Sequence, residues 1–371
     1  MQHRFLSVFH TALSLIFSCL CLFVAPTFAA DTTFRAHPEL YYEYQLALLD
    51  TRATINLEFT PRVKHYLEEY IDRRRGQVSQ MLGLGELYFP LFDSIISRHG
   101  LPKELRYLAV VESALNPRAV SRSQAVGLWQ FKLNSGIIYG LTVDLVVDLR
   151  MDPTASTEAA CLYLKDLYAT FGDWHLALTA YNMGPTALQA VISRAKSKRF
   201  RDIAPLLPEA AQNYVPAFIA ANYVMQHAAM HGIRSTPAPI AHAQTVTIRL
   251  DRPLSLTSIA VPPAAPLELL SLLNPQLVKG IAPAGHTLRI PRVASRDIAQ
   301  RAAVAPVAQL PDVVTKPVAQ HWTNHTVRPG DSLIGIAQRY GCSVADILDW
   351  NANIESKLRV GSSIKICVYR N

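Results

Sequence analysis

The chain has 371 residues, of which 50% are hydrophobic and 17% are charged, and its formal net charge is +8. This composition is that of a globular protein and excludes a largely disordered chain, while the length allows more than one core. A basic chain suits an anionic partner. No dense Lys/Arg tract with interleaved aromatic residues is present, so we expect no nucleic-acid partner. The largest basic run, residues 73–75, is expected on a solvated helix face.

Residues 1–30 have the features of an export signal. Arg4 supplies a positive end, residues 12–25 are apolar, and small residues allow cleavage after Ala29 or the next residue. The apolar stretch is short for a membrane-spanning helix. We therefore predict a signal peptide and a periplasmic mature protein. The alternative is a lipoprotein attached to the outer membrane through Cys19, which a distorted lipobox disfavours.

The remaining cysteines give few constraints. Cys161 lies among apolar residues of a predicted helix and is expected to be a small core residue. Cys342 and Cys367 lie in one C-terminal module and could form a disulfide in an oxidising compartment. No Cys/His spacing indicates a metal site, so neither a metal nor a cofactor is expected.

Residues 31–80 are predicted to form a helical N-terminal extension. Residues 81–232 alternate helical patterns with short Gly, Pro and Asn breaks, which is typical of a compact α domain. A stretch rich in Pro, Ala and His then predicts a linker over residues 233–243.

Within the α domain, residues 101–112 predict a helix that ends before Asn116-Pro117, because a residue preceding proline avoids the helical region. Leu105, Leu108, Ala109 and Glu112 share one face of this helix. A carboxylate is thereby placed on an apolar stripe, where burial raises its pKa. Glu112 is therefore a candidate general acid, with a salt-bridged glutamate at a helix end as the alternative.

Further motifs follow Glu112 in a fixed order. They are Val111-Glu112-Ser113, Gly127-Leu128-Trp129-Gln130-Phe131 and Ala180-Tyr181-Asn182, with shorter matches at residues 139–141, 152–159, 163–168 and 212–216. Over residues 80–230 this order resembles the lytic transglycosylases with a goose-lysozyme-like domain, and among them the membrane-bound lytic murein transglycosylase D group.

This resemblance implies an enzyme that cleaves the β-1,4 bond between N-acetylmuramic acid and N-acetylglucosamine in peptidoglycan strands. Glu112 would be the sole general acid and base, and the product would carry a 1,6-anhydro end. The resemblance also implies a set of substrate-side residues: Ser113, Ser121, Ser123, Gln130, Tyr181, Asn182 and Tyr214. Tyr214 matches a tyrosine whose hydroxyl holds the catalytic carboxylate, and Ser121 matches a hydroxyl near the acetamido group.

The distribution of acidic residues agrees with this chemistry. Glycoside hydrolysis usually takes two carboxylates, but no Asp or Glu occurs from Ser113 to Val143. Asp144 and Asp152 are expected to cap turns and helices. Two alternatives stay open: a hydrolytic muramidase on the same fold, and a non-catalytic peptidoglycan-binding protein.

Two departures from the family pattern flank the expected cleft. Lys132-Leu133-Asn134-Ser135-Gly136 stands where the family usually has Met-Pro-Ala-Thr-Gly, and Met183 replaces a common alanine. An added positive charge and a longer side chain are expected to alter the rate or the substrate preference.

Residues 324–369 form a second motif. A strand, a Pro-Gly-Asp turn, two helices and the alternating strand of residues 363–368 predict a βααβ module. It resembles a LysM domain, which implies glycan binding. The residues that this resemblance assigns to glycan binding are Gly330, Asp331, Ser332, Leu333 and Asn351.

A fainter copy of this pattern precedes it. Residues 244–292 are predicted to form a degenerate LysM-like module that lacks the Pro-Gly-Asp turn, and residues 293–323 to form a semi-extended tether. The sequence thus predicts a multidomain, monomeric protein. A mainly α lysozyme-like domain is followed by small α+β modules that hold it on its polymer.

Overall fold

A computed structural model describes residues 38–310, 319–331, 333–340, 342, 347, 350, 351 and 358–370. The predicted signal peptide, Cys19 and Ser332 lie outside the described residues. Residues 43–371 form one compact unit, to which the contacts below belong. Among the described residues, no helix combines the length and the apolar character needed to cross a bilayer.

Residues 38–232 are mainly helical, as predicted. Its α-helices are α1 (Pro38–Asp50), α2 (Pro61–Glu68), α3 (Arg75–Arg98), α4 (Leu108–Ser113), α5 (Leu133–Ile138), α6 (Pro153–Phe171), α7 (Trp174–Met183), α8 (Pro185–Ala195), α9 (Phe200–Ile203) and α10 (Glu209–His227). A π-helical segment, Glu69–Arg73, precedes α3. The domain boundary predicted at residue 80 is wrong, because it falls inside α3, which is continuous.

The helix that carries Glu112 is shorter than predicted. A 3-10 helix, Lys103–Tyr107, comes first, and α4 then ends at Ser113. It ends there because Ala114 and Leu115 both have a positive φ, of 52° and 61°. The amides of Ala114 and Leu115 donate to the carbonyl oxygens of Val110 and Ala109, so these two residues close the last turn of the helix. Leu115 is fully buried, so packing stabilises a conformation that is costly for a residue with a Cβ.

The predicted linker lies on α3. The amide of Thr236 donates to the Ser79 carbonyl oxygen, and the Ser79 hydroxyl donates to the Arg234 carbonyl oxygen. A Cβ added at Gly83 would lie 1.8 Å from the Thr236 carbonyl oxygen. Glycine at this position therefore permits the linker backbone to cross the helix in contact with it.

The module after the linker contains two small sheets and two short helices. Its elements are β1 (Thr245–Arg249), β2 (Leu254–Ser255), α11 (Leu256–Ile259), α12 (Leu267–Leu273), β3 (Ile281–Ala282) and β4 (Thr287–Pro291). Strands β1 and β4 are antiparallel, with Thr247 opposite Arg289. The backbone at Val147 bridges to Leu277, so a loop of the helical domain extends this module.

The described part of the C-terminal module also pairs its first strand with its last. Strands β5 (Ala319–Thr326) and β6 (Ser363–Arg370) pair antiparallel, and α14 (Leu333–Tyr340) follows β5. Its core of Ile336, Ala337 and Ile364 is continued by Ile138 of α5. The fold class predicted from the sequence, helices followed by small α+β modules, is confirmed.

One asparagine has the same hydrogen bonds in both modules. Asn274 Nδ2 donates to the carbonyl oxygens of Leu270 and Arg289, and its Oδ1 accepts from the Arg289 amide. In the C-terminal module, Asn351 makes these three bonds to the backbone of residues 347 and 365. This shared bracket joins a helix end to the closing strand in each module.

One expectation for the C-terminal part changes. The tether predicted over residues 293–323 is wrong for its first part, because Ser295–Val304 forms helix α13 and buries Ile298 completely in the core of the preceding module. Apolar residues spaced along one face of this segment favour a packed helix over an extended chain. Cys342 and Cys367 are both buried in the C-terminal module, and a disulfide between them stays a prediction.

The packing of α13 predicts the stability of the middle module. Ile298→Ala removes a fully buried side chain and should destabilise residues 245–305 by about 2 to 4 kcal/mol. Val304 lies on the same helix and is 84% exposed, so Val304→Ala should change the free energy by less than about 0.5 kcal/mol. Hydrogen exchange followed by mass spectrometry measures the opening free energy of this module. Equal protection in the two variants would contradict the docking of α13.

Candidate active site

Glu112 lies in the last turn of α4, which packs against α10. The Tyr214 hydroxyl, from α10, donates a hydrogen bond to Glu112 Oε1. Leu105, Leu108 and Ala109 on the same face are fully buried, so the rest of the stripe anchors the helix. The carboxyl group is thus held between two helices, with part of its surface open to a groove.

Burial raises the pKa of Glu112 to about 7, and the hydrogen bond from Tyr214 acts in the opposite direction. Desolvation disfavours the ionised form, whereas a donor to the carboxylate favours it. The group is therefore divided between its protonated and ionised forms near neutral pH. A carboxyl in this condition can give up a proton and take one back.

Two adjoining hollows of about 310 and 370 Å³ form the groove, and Glu112, Ser121 and Gln130 line both. Glu112 therefore lies where the hollows meet. Among the described residues that line either hollow, Glu112 is the sole carboxylate. A bond between two groups bound on either side would lie within its reach.

The predicted residues Ser121, Ser123 and Gln130 all line the groove. The two serine hydroxyls lie 3.1 Å apart, and Ser121 Oγ accepts from the Ala125 amide. Gln130 Nε2 donates to the Ala119 and Gly127 carbonyl oxygens. The Gln130 amide group therefore stabilises the loop wall as well as facing the groove.

The other predicted residues near the groove, Ser113, Tyr181 and Asn182, lie at different places around it. The Ser113 hydroxyl donates to the carbonyl oxygens of Ala109 and Leu128, so it ties the end of α4 to the neighbouring loop. Tyr181 and Asn182, from α7, line the second hollow. The Tyr181 hydroxyl donates to the Trp129 carbonyl oxygen over 2.7 Å. Asn182 is exposed at the rim of the groove.

The two departures from the family pattern also lie at the second hollow. Lys132 and Met183 both line it, and Lys132 is exposed. Lys132 comes immediately before α5, where its backbone is extended, with φ of −72° and ψ of 154°. Its charge therefore lies at the groove rim. The helix that follows starts without a proline.

Other acids and aromatic residues of the sequence have structural roles. Asp144 Oδ1 accepts from two amides of its own turn, and Asp152 caps α6. Trp129 is buried and donates to Thr157 Oγ1 over 2.9 Å. Cys161 is buried, and burial raises its pKa to about 12. The turn and cap roles predicted for the two aspartates are confirmed.

The sequence did not identify one wall of the first hollow. It is lined, together with Glu112, by Tyr70 of the π-helical segment, by Arg74 directly after it, and by Gln77 and Met81 of α3. The basic run at residues 73–75 was the available signal, but it was interpreted as a solvated helix face. Arg74 is exposed, as that interpretation expects, but it also lines the hollow, because the direction of a side chain after a π-helical turn cannot be inferred from a regular helical period.

In the C-terminal module, the described candidates are engaged within the module itself. Asp331 Oδ2 accepts from the Arg328 amide and lies 2.8 Å from His325 Nε2. The Asn351 amide forms the bracket described above, and Leu333 packs on the core. Gly330 has φ of +87°, which a turn glycine adopts without strain. Glycan contact by these residues stays a prediction.

Comparison with known proteins agrees with this architecture. Residues 94–204 match the family described as the transglycosylase SLT domain, and residues 325–366 match the LysM domain. The fold and the site therefore define a protein with an SLT domain followed by a LysM domain.

The chain is similar to membrane-bound lytic murein transglycosylase D of Escherichia coli (strain K12). The two are 28% identical over 314 residues, which cover 82% of this chain and 68% of that protein. A putative tributyltin chloride resistance protein of Alteromonas sp. (strain M-1) is 33% identical over 114 residues, 30% of this chain and 55% of that protein. The SLT domain and the lytic murein transglycosylase relatives support an enzyme of the lytic transglycosylase class.

Among solved structures, the 70 kDa soluble lytic transglycosylase Slt70 of Escherichia coli matches 40% of this chain with 21% identity and a TM-score of 0.34. The chain spans 26% of Slt70. The lytic transglycosylase Slt of Pseudomonas aeruginosa matches 41% of this chain with 18% identity and a TM-score of 0.33. The match covers 25% of that protein.

The Tyr214 hydrogen bond predicts how the Glu112 carboxyl titrates. Tyr214→Phe removes a donor to the ionised form, so the pKa of Glu112 should rise from about 7 by about one unit. Infrared difference spectra of the carboxyl band, recorded over a pH series, measure this titration. Tyr181→Phe is the control, because its hydroxyl donates to a backbone carbonyl oxygen instead. A lower pKa in Tyr214→Phe would contradict the assignment.

Proposed function

We propose that this protein is a lytic transglycosylase that cleaves the β-1,4 bond between N-acetylmuramic acid and N-acetylglucosamine in peptidoglycan. The observation that carries the proposal is the position of Glu112. It lies at the junction of two hollows, with a raised pKa and with no second carboxylate among the described groove residues. The SLT match and the murein transglycosylase relatives support the same substrate.

The chemistry follows from a single acid. Protonated Glu112 donates its proton to the glycosidic oxygen, and the bond from that oxygen to C1 of the muramoyl ring breaks. The acetamido carbonyl oxygen of the same sugar stabilises the positive charge at C1. The Glu112 carboxylate then takes the proton of the C6 hydroxyl, whose oxygen bonds to C1. Glu112 is again protonated, the muramoyl end is a 1,6-anhydro ring, and no water is consumed.

The other groove residues would position the substrate and the Glu112 carboxyl group. Ser121, which lines both hollows, and Ser123, which lines the second, present neighbouring hydroxyls to the groove, and Asn182 presents an amide at the rim. Hydrogen bonds from such groups would orient the acetamido group next to C1. The Tyr214 hydroxyl fixes the carboxyl rotamer, which matters because small errors in the placement of reacting groups reduce rates strongly.

The remaining modules would hold the enzyme on its polymer. The LysM match supports glycan binding by residues 325–366. Binding at a second site raises the local concentration of strands at the groove without altering the groove itself. The leader predicted over residues 1–30 and the envelope protein among the relatives support action in the periplasm.

The reaction products distinguish the candidate functions. Purified peptidoglycan digested by the wild-type protein should release muropeptides with 1,6-anhydro ends, identified by mass spectrometry. Glu112→Gln should lose about 100-fold or more of the rate, because the amide cannot donate the proton. Glu86→Gln, an exposed position on α3, is the control and should retain the rate. Reducing ends would instead show a muramidase, and binding without cleavage would show a non-catalytic protein.

The LysM proposal predicts a separation of binding from turnover. Truncation after Leu310 should lower the amount of protein that sediments with insoluble peptidoglycan. Turnover of short soluble strands should be retained, because the groove residues all precede the truncation point. Undiminished sedimentation of the truncated protein would contradict anchoring by this module.

A further inference from the structure

The three consecutive arginines of residues 73–75 have three different environments. Arg73 pairs with Glu69, and its side chain is 74% exposed. Arg75 donates to the carbonyl oxygens of Ile71 and His231 and so joins two parts of the fold. Arg74 lines the first hollow of the groove, beside the walls that carry Glu112.

The backbone explains this division. The π-helical segment ends at Arg73, and Arg74 has φ of −112° and ψ of 25°, outside the helical region. Helix α3 then begins at Arg75. A residue between two helical segments is free to turn its side chain away from both, and Arg74 turns towards the groove.

The Arg74 guanidinium keeps most of its donors available. Its Nε lies 3.5 Å from Glu69 Oε2, and its terminal nitrogens have no hydrogen-bond partner among the described residues. Its side chain is 53% exposed. Gln77, one turn along α3, lines the same hollow and is also exposed. A planar cation and an amide thus face one space.

This pair of groups suits a carboxylate. A guanidinium presents two parallel N–H donors that match the two oxygens of a carboxylate, and an amide adds a third donor. The sole carboxyl among the described lining residues is Glu112, which Tyr214 already engages. The donors of Arg74 are therefore available to a ligand.

We propose that Arg74, together with Gln77, forms a carboxylate-binding subsite in the first hollow. It would hold the lactyl carboxylate of a muramoyl residue, or a carboxylate of the peptide that extends it, while Glu112 acts on the neighbouring bond. This inference rests on the proposed function. Residues 70–81 precede the matched SLT range of residues 94–204, so the subsite is built by a segment outside that domain match.

The test compares Arg74→Gln with Arg73→Gln in the full-length protein. Arg73 is the matched control, because it is adjacent, shares the Glu69 partner and does not line the groove. Four soluble substrates are used: strands with intact peptides, strands freed of peptides by an amidase, and each of these two kinds after amidation of its carboxylates with ammonia. KM and kcat are measured for each over a pH series.

Arg74→Gln should raise KM about two- to fivefold on carboxylate-bearing strands, the effect of one partly exposed ion pair, with kcat retained. On amidated strands the KM of the Arg74→Gln protein should equal that of the wild-type protein. The KM of the Arg73→Gln protein should equal the wild-type KM on every strand. A defect that persists on peptide-free strands identifies the lactyl carboxylate, and a defect confined to intact strands identifies the peptide. The pH profile should not shift, because burial and Tyr214 set the pKa of Glu112.

Three results would overturn the subsite: no defect on any strand, an equal defect on amidated strands, or a shifted pH profile, which would mean that Arg74 acts through Glu112.

Failure of the proposed function is separable, because the wild-type protein would then cleave none of the strands. In that case calorimetry decides. The affinity of Glu112→Gln protein for carboxylate-bearing strands should exceed that of Glu112→Gln/Arg74→Gln protein, and equal affinities would overturn the subsite.

Discussion

The carboxyl group of Glu112 is the constraint on which the site depends. Its pKa is raised to about 7 by burial, and the hydroxyl of Tyr214 fixes one of its oxygens. Both conditions come from the packing of α4 against α10. Because α4 ends one residue after Glu112, in a left-handed turn at Ala114 and Leu115, the carboxyl lies at the end of a buried helix with one side open.

The loop after α4 completes the groove because its backbone at Gly127 packs closely against the backbone at Arg150. Gly127 has φ of +89°, and a Cβ there would lie 1.9 Å from the Arg150 carbonyl oxygen. The loop can therefore fold against the turn that carries Arg150, which pairs with Asp148 in a buried salt bridge. This contact places Gln130 at the junction of the two hollows. The glycine that opens the Gly127-Leu128-Trp129-Gln130-Phe131 motif thus has a steric reason.

The small modules are attached to the helical domain at loops near the groove. The turn of residues 143–150 bridges to Leu277 of the middle module, and Ile138 of α5 completes the core of the C-terminal module. Helix α5 follows Lys132, which lines the second hollow. Asn274 and Asn351 occupy equivalent places in the two modules, because the side-chain amide of each joins a helix end to the last strand.

The sequence alone determined the helical class of the first domain, the LysM plan of the last module and the choice of Glu112, because periodicity, turn residues and motif order are local properties. It could not place Arg74 in the groove or α13 in the middle core. The first depends on a π-helical turn that alters side-chain direction, and the second on a partner surface far along the chain. The raised pKa of Glu112 was likewise only an expectation, since its size depends on how completely α10 and the loops exclude water. Tertiary packing decided that, because burial and the Tyr214 bond exist only when segments about a hundred residues apart meet.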